Sequence, residues 1–270
     1  MRKLREPPSE AELVDDLPPP RRGPDAIDKL IERLGPSAVC EALAPLLTPD
    51  RIERIDAVLA ARLGSVVPVV EDVYEPHNGA AVIRTGEALG LQELHVVEPK
   101  IRFQAARGIT RGCHRWIDLH RWRDAHECIG ALKARGFRVL ATEPEAATSI
   151  DTVAIDAPIA VVFGNERSGL PARTVDACDG RVALPMYGFT QSFNLSVSAA
   201  LVLAQLAARR RAHLGATGDL VEARVGWLRA RWFALKIRGA VVSVKHEDKA
   251  FAVHIEVPVA SAHLLLDHLK

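Results

Sequence analysis

The sequence predicts an α/β fold, a parallel sheet with helices on both faces, with short helical extensions before and after it. Three observations support this. From residue 66 onward, short apolar runs alternate with helical stretches, the pattern of a parallel sheet covered on both sides. The chain has 270 residues, 48% hydrophobic and 26% charged, which is ample for a buried core and unlike a collagenous or wholly disordered chain. No stretch approaches the roughly 20 uninterrupted apolar residues that a membrane span requires.

Residues 1–23 are polar and end in Pro18-Pro19-Pro20-Arg21-Arg22-Gly23, a composition expected of a flexible leader. A helical N-terminal extension follows over 24–64, with short amphipathic helices at 27–34 and 38–47 broken at Gly35-Pro36. Thr48-Pro49-Asp50 predicts a further helix running through Arg62: a capping hydroxyl, proline in the first turn and a carboxylate at the positive end of the helix dipole. The sheet domain is placed at 65–212. Strands are expected at 66–70, 94–97, 138–141, 159–163 and 181–184, and helices at 80–89, 125–135 and 197–211. A C-terminal helix is expected over 213–238, its pattern running from 221 to 237 with Trp227 and Trp232 on it. In the tail, 239–270, the runs 241–244 and 251–257 flank the charged turn His246-Glu247-Asp248-Lys249 as in a hairpin.

Charge is balanced overall, 35 basic against 34 acidic residues, but segregated along the chain. Residues 100–123 hold seven Lys and Arg against Asp118 alone, and 209–238 hold eight against Asp219 and Glu222. Such runs suit a polyanion, because phosphate neutralisation supplies most sequence-independent affinity; the alternative is two solvated faces. Trp116 and Trp122, interleaved with the first run, are either stacking surfaces or core anchors. Cys40, Cys113, Cys128 and Cys178 form no C-x-x-C pair, so reduced thiols are expected, and the ten histidines show no zinc spacing, so no metal is expected. The charged N-terminus lacks an apolar signal core, and its acidic residues spoil transit-peptide character, which makes the cytoplasm the expected location.

Three segments carry candidate chemistry, each just beyond a strand, where α/β sheets build ligand crevices. In the first, residues 75–85, a helix starting near Asn78 would be capped by it. Arg84 then lies nearly two turns along the same broad side, either snorkelling from an apolar stretch or aimed at a phosphate or carboxylate. In the second, 161–170, an apolar strand enters a glycine-bracketed loop, Gly164-Asn165-Glu166-Arg167-Ser168-Gly169. It matches neither the P-loop nor the dinucleotide fingerprint, which disfavours nucleoside triphosphate hydrolysis and dinucleotide binding. In the third, 184–196, Gln191, Ser192 and Asn194 lead into a helix that reads as dry on most sides, so they satisfy either its first amides or a ligand.

Together and in this order, the three segments resemble the motifs of the SPOUT superfamily of RNA methyltransferases, and specifically the TrmH family of tRNA guanosine 2'-O-methyltransferases. The first motif is similar at His77-Asn78 through Arg84, the second at Phe163-Gly164-Asn165-Glu166 with Gly169, and the third at Leu184-Pro185-Met186 through Gln191-Ser192-Phe193-Asn194. Further similarity lies at 47–52 with Arg62, at Arg111-Gly112-Cys113-His114-Arg115-Trp116 with Arg121-Trp122, and at Arg229-Ala230-Arg231-Trp232, so it spans roughly residues 46–238.

The resemblance implies a SPOUT methyltransferase domain with a C-terminal deep trefoil knot that forms the S-adenosylmethionine pocket, and a homodimer whose active site is completed across the interface. It places Asn78, Arg84, Glu166, Ser192 and Asn194 in catalysis. Thr142, Glu143, Gly164, Met186, Gly188 and Leu195 would hold the cofactor, and Arg111, His114, Arg115, Trp116, Arg121, Arg229 and Arg231 the RNA. The implied substrate is the D-loop guanosine of tRNA, with an rRNA ribose as the alternative and a non-catalytic RNA-binding protein as the reading from another class. The sequence departs from the family's pattern at Gly79, where a branched apolar residue is usual, at Leu170-Pro171, and at Phe193 in place of leucine.

Overall fold

The computed structural model describes residues 25–100, 103, 110, 112–237, 241–246 and 249–254. The expected leader and Arg111 lie outside the described residues. The chain divides into two compact units, one spanning Arg62–Asp219 and the other combining Arg22–Ala61 with Leu220–Lys270.

In the Arg62–Asp219 unit, six strands form one sheet: β1 (Val66–Glu71), β2 (Glu93–Val97), β3 (Asp118–Trp122), β4 (Arg138–Thr142), β5 (Ile159–Phe163) and β6 (Gly180–Val182). Their order is β3-β2-β1-β5-β4-β6 and every pairing is parallel. β1 is buried along its whole length. Alternate residues of the strands feed two cores. Val66, Val70, Leu94, Val96, Val161 and Phe163 pack with α4 (Pro76–Ala88) and the long C-terminal helix of the unit, whereas Val67, Val69, Val97, Ala160 and Val162 pack with α5 (Ala125–Ala134). Apolar residues at both parities of the strand are what a sheet covered on two faces requires.

Two elements carry no sequence signature of their own. β3 reads in sequence as part of a basic run, since an edge strand carrying Asp118, His120 and Arg121 lacks an apolar pattern. α6 (Ala172–Ala177) is a six-residue helix, too short to show a period. The first expected helix of the sheet begins earlier than Ala80, because Pro76 opens α4 at a position whose missing N–H costs nothing. The last helix of this unit, α7 (Leu195–Leu214), is capped by Asn194, whose Oδ1 accepts from the Ser196 amide at 2.8 Å, and ends at Gly215 in the left-handed region. Contrary to expectation it is not dry on most sides, since Val197, Leu201, Ala204 and Ala208 leave an apolar stripe exposed.

Arginines hold this unit together from inside. Arg62 is fully buried, donating to the Leu91 carbonyl at 3.0 Å and to Glu87 at 2.9 Å. Arg210 donates to Ser65 Oγ at 3.0 Å and to the Ile155 carbonyl at 2.6 Å. Gly79, where the family's branched residue is missing, has a reason: a Cβ there would lie 2.5 Å from the buried Phe103 ring, which fills that space.

In the other unit, α1 (Ala26–Leu34), α2 (Pro36–Leu43) and α3 (Pro49–Ala60) accompany α8 (Glu222–Lys236). The break at Gly35-Pro36 is real, but Pro36 itself opens α2, and a 3₁₀ turn at Ala44–Leu46 ends the stretch expected to continue to 47. Thr48 stands at the N-cap of α3 without its hydroxyl accepting a helix amide, so Pro49 and Asp50 mark that start. Arg231 of α8 pairs with Asp25 at 2.7 Å and with the buried Asp28, and Arg229 forks onto Asp56 at 2.6 and 2.9 Å. The tail supplies the expected antiparallel pair, β7 (Val241–His246) with β8 (Lys249–His254). Among the described residues no helix is long and apolar enough to cross a membrane.

Removing one partner of a buried ion pair leaves the other charged and unsolvated. Arg231→Ala should therefore destabilise this unit by about 3 kcal/mol or more, read as a lower urea midpoint for unfolding of the full chain.

Candidate active site

The site is built where β1 and β5 end side by side. The two strands pair in parallel with Val70 opposite Phe163, so the segments that follow them leave the sheet at one edge. After β5 the chain turns at Gly164, where a Cβ would lie 2.4 Å from the Gly169 carbonyl carbon and from the Leu170 nitrogen; only glycine fits. The loop closes on itself through backbone hydrogen bonds between Asn165 and Gly169, 3.2 and 2.9 Å, with Gly169 at φ +65°.

Side chains then fasten this loop to the segment after β1. Asn165 donates its side-chain amide to the Asp72 carbonyl, and its Oδ1 accepts from the Arg167 amide at 2.8 Å. Asp72 is the one non-glycine residue with positive φ among the described residues, +49°. Glu166 accepts at both carboxylate oxygens: from the Tyr74 amide at 3.0 Å, the Glu75 amide at 3.4 Å and the Asn78 side-chain Nδ2 at 2.7 Å. Three donors from one segment make it a brace between the two loops.

Asn78 thus does not cap α4. It lies in the first turn after Pro76, buried, with its amide committed to Glu166. Nor does Arg84 share its side: six residues at about 100° each leave the two roughly 120° apart, and Arg84 is exposed.

Beside this junction lies a cleft between the ends of β4 and β6 and the start of α7. Thr142, Glu143, Met186, Ser192 and Phe193 line it, with an apolar wall of Ile150, Val182, Leu184 and Val202. Its wider mouth adds Ser168, Gly169, Arg181 and Gln191. Thr142 Oγ1 donates to the Val162 carbonyl at 2.9 Å, tying the floor to β5, and Glu143 meets Arg181 at 3.2 Å. Of the expected cofactor residues, Thr142, Glu143 and Met186 line the cleft. Gly164 shapes the adjoining loop, Leu195 is buried at the start of α7, and Gly188 is exposed between Tyr187 and Phe189, themselves almost fully exposed. Asn194 spends its Oδ1 on the Ser196 amide and hydroxyl, which makes it the helix cap.

The expected RNA residues fare differently. The Arg121 side chain is 2% exposed, forked onto the buried Glu98 at 3.2 and 3.1 Å and donating to the Phe103 carbonyl at 2.9 Å, so its guanidinium is a core group and not a free cation. Arg229 and Arg231 are the paired residues of α8 already described. Trp122 is a core anchor too, donating from Nε1 to His95 Nδ1 at 2.9 Å, whereas Arg115 is exposed and His114 and Trp116 are half-buried on a short 3₁₀ turn. A basic run read along the sequence cannot reveal which cations the fold will spend on its own acids.

Glu93, His95 and His120 form the one cluster of metal-ligand type among the described residues. Its hydrogen bonding is that of a closed network. Indole is a donor only, so Trp122 makes His95 Nδ1 an acceptor and leaves the proton on Nε2, which faces Glu93 at 3.4 Å; Arg135 forks onto Glu93 at 2.8 and 2.8 Å. That tautomer offers no free nitrogen to an ion. Burial works to raise the Glu93 carboxyl, but the hydrogen bonds from His95 and Arg135 outweigh it and hold it down at about 2. Burial, with the neighbouring His95, keeps His120 below its usual range.

A parallel six-stranded α/β sheet with a cleft at its carboxyl edge and two motif loops latched together defines the class of protein. Residues 65–204 match the description of the SpoU rRNA Methylase family. A tRNA (guanosine(18)-2'-O)-methyltransferase of Borreliella burgdorferi is 36% identical over 185 residues, covering 68% of this chain and 82% of its own. Its namesake in Thermus thermophilus is 37% identical over 62% of this chain and 87% of its own. The crystal structure of the A. aeolicus TrmH/SpoU tRNA modifying enzyme superposes with a TM-score of 0.63 at 27% identity, over 70% of this chain and 97% of that one. The chain belongs to the SpoU methylase family.

The residues the sequence did not flag are Asp72, Tyr74 and Arg167; their roles rest on contacts between segments some 90 positions apart, and no local pattern announces them. Three outcomes follow. Gly164→Ala should force the loop backbone apart and cost about 1–3 kcal/mol, seen as a lower melting midpoint together with weaker ligand binding in the cleft. Arg121→Ala should lower the urea midpoint, with stability lost before any change in RNA affinity is seen at low temperature. Because the Glu93 carboxyl sits below its unfolded value of about 4.3, the stability it contributes is present above that pH and disappears as pH falls towards 2; Glu93→Gln should flatten acid unfolding across that window.

Proposed function

We propose that this chain transfers a methyl group from S-adenosylmethionine to the ribose 2'-hydroxyl of a guanosine in the D-loop of tRNA. The observation that carries the reading is the Glu166–Asn78 latch standing beside a cleft lined by Thr142, Glu143, Met186 and Ser192, in a chain of the SpoU family. The relatives' names support the substrate: those of Borreliella burgdorferi, Thermus thermophilus and Escherichia coli K12 all specify guanosine 18 of tRNA. An rRNA ribose is the second reading, favoured by the family's own description.

The cleft fits the cofactor. Its apolar wall suits a purine ring, and Thr142, Glu143 and Ser192 set polar groups at its rim, the balance expected of a small-molecule site. When bound, S-adenosylmethionine supplies a methyl group activated by a sulfonium. Thr142, Glu143, Met186 and Ser192 would hold it and Gly164 lets the loop backbone come close; Gly188 and Leu195, outside the cleft lining, are the remaining cofactor residues of this reading. The chain's remaining task is to steady a poorly nucleophilic hydroxyl as it loses its proton. Arg84 is the group for this: its guanidinium stabilises the developing alkoxide and an adjacent phosphate while the proton passes to solvent water. Glu166 positions Asn78, and Asn194 holds the start of α7 and the loop bearing Ser192.

The same reading includes a homodimer in the cytoplasm with the active site completed across the interface, and a deep trefoil knot in the 65–212 domain. The exposed apolar stripe of Val197, Leu201, Ala204 and Ala208 on α7 supports the dimer, and family membership supports the knot. Of the expected RNA set, this reading assigns tRNA contact to the exposed Arg115 with the half-buried His114 and Trp116.

With methyl-labelled S-adenosylmethionine and unmodified tRNA transcripts, the wild-type chain should label the D-loop guanosine. Arg84→Ala should lower transfer by about a hundredfold or more while cofactor and tRNA affinities stay within twofold or so; substantial residual transfer would remove Arg84 from the mechanism.

A further inference from the structure

Arg167 follows Glu166 in the glycine-bracketed loop and has no part in the latch beyond its backbone amide. Its side chain is exposed, and its guanidinium carbon lies 3.6 Å from the centroid of the Tyr74 ring, the residue whose amide Glu166 holds. Tyr74 is itself 40% exposed. Among the described residues no carboxylate pairs with Arg167. The Tyr74 ring therefore covers one face of the guanidinium and holds it in place, while its other face and its N–H edge stay open to solvent. The next residues along the loop, Ser168 and Gly169, line the mouth of the cleft. The pair thus stands at the rim of the proposed methyl-transfer site, oriented and unspent.

We infer that Arg167, held by Tyr74, reads the base of the target nucleotide and is a specificity-determining residue for guanine; this rests on the function proposed above. A loop nucleotide whose ribose enters the cleft brings its base to the rim, and loop bases are recognised by stacking on aromatic or guanidinium planes and by hydrogen bonds to their edges. Guanine presents two adjacent acceptors, O6 and N7, which match the arginine fork; adenine presents a donor in place of O6. A phosphate would also match the fork, but the surroundings disfavour a second anion: Glu75 is exposed beside Tyr74, and Glu166 is bonded to both of their amides. A neutral base meets no such repulsion.

The test uses the full chain with tRNA transcripts carrying guanosine, adenosine or 7-deazaguanosine at the target position, the last lacking the N7 acceptor. Both kcat/KM for methyl transfer and the affinity of the corresponding D-arm RNA are measured. The wild type should favour guanosine over adenosine by about ten- to a hundredfold, with 7-deazaguanosine between them. Arg167→Ala should lose that factor on guanosine while leaving adenosine unchanged, and Arg167→Lys should behave the same way because it keeps charge but not the fork. Tyr74→Phe should retain the preference and Tyr74→Ala should weaken it. S-adenosylmethionine affinity and the melting midpoint should not move in Arg167→Ala. An equal loss on all three RNAs would mean a phosphate or structural contact, and an undiminished guanosine preference in Arg167→Ala would mean that another group reads the base; either overturns the inference. Guanosine-selective binding that depends on Arg167 without methyl transfer would sustain the inference and overturn the proposed function, whereas transfer without selectivity would do the reverse.

Discussion

The carboxylate of Glu166 is the point on which the site depends. It comes from the loop after β5 yet bonds two backbone amides and one side-chain amide of the segment after β1, so it fixes the entry angle of α4 and the position of Asn78 together. The anchor works because Gly164 lets the loop fold back on Gly169 and Asn165 ties the same loop to Asp72. Remove the charge and three donors at the sheet edge lose their partner at once.

The same economy governs the arginines. Arg62, Arg121 and Arg210 in the sheet unit, and Arg231 in the other, each satisfy carbonyls or acids in the interior. Planar, always charged and able to bond several acceptors, arginine can close the ends of helices and strands where a shorter side chain would leave carbonyls unpaired. Cations that look available for RNA along the sequence are in this way partly used by the fold, whereas Arg84, Arg115 and Arg167 stay exposed.

The histidine cluster makes a related point about inference from proximity. Glu93, His95 and His120 come within ligand distance because β2 and β3 pair with His95 opposite His120. Proximity alone would suggest an ion. The donor-only indole of Trp122 sets the tautomer of His95, and the fork of Arg135 occupies Glu93, so the cluster reads as a braced edge of the sheet.

The sequence by itself determined the fold class and most of the elements, because β1 and β5 are apolar on both faces and α7 is bounded by Asn194 and Gly215. It also singled out the loop at Gly164 and the polar run ending in Asn194, and the structure gives each a structural task, a close backbone approach and a helix cap. It did not reveal β3, whose edge position tolerates polar residues, nor the true partner of Asn78, which reads locally as a cap. Tertiary structure alone decided that Glu166 braces Asn78, that Arg121 is interior, that Phe103 fills the space left by Gly79, and that Tyr74 meets Arg167. Each of these depends on β1 and β5 lying side by side, or on a long-range contact between segments, and pairing between distant strands leaves no periodic trace in either one.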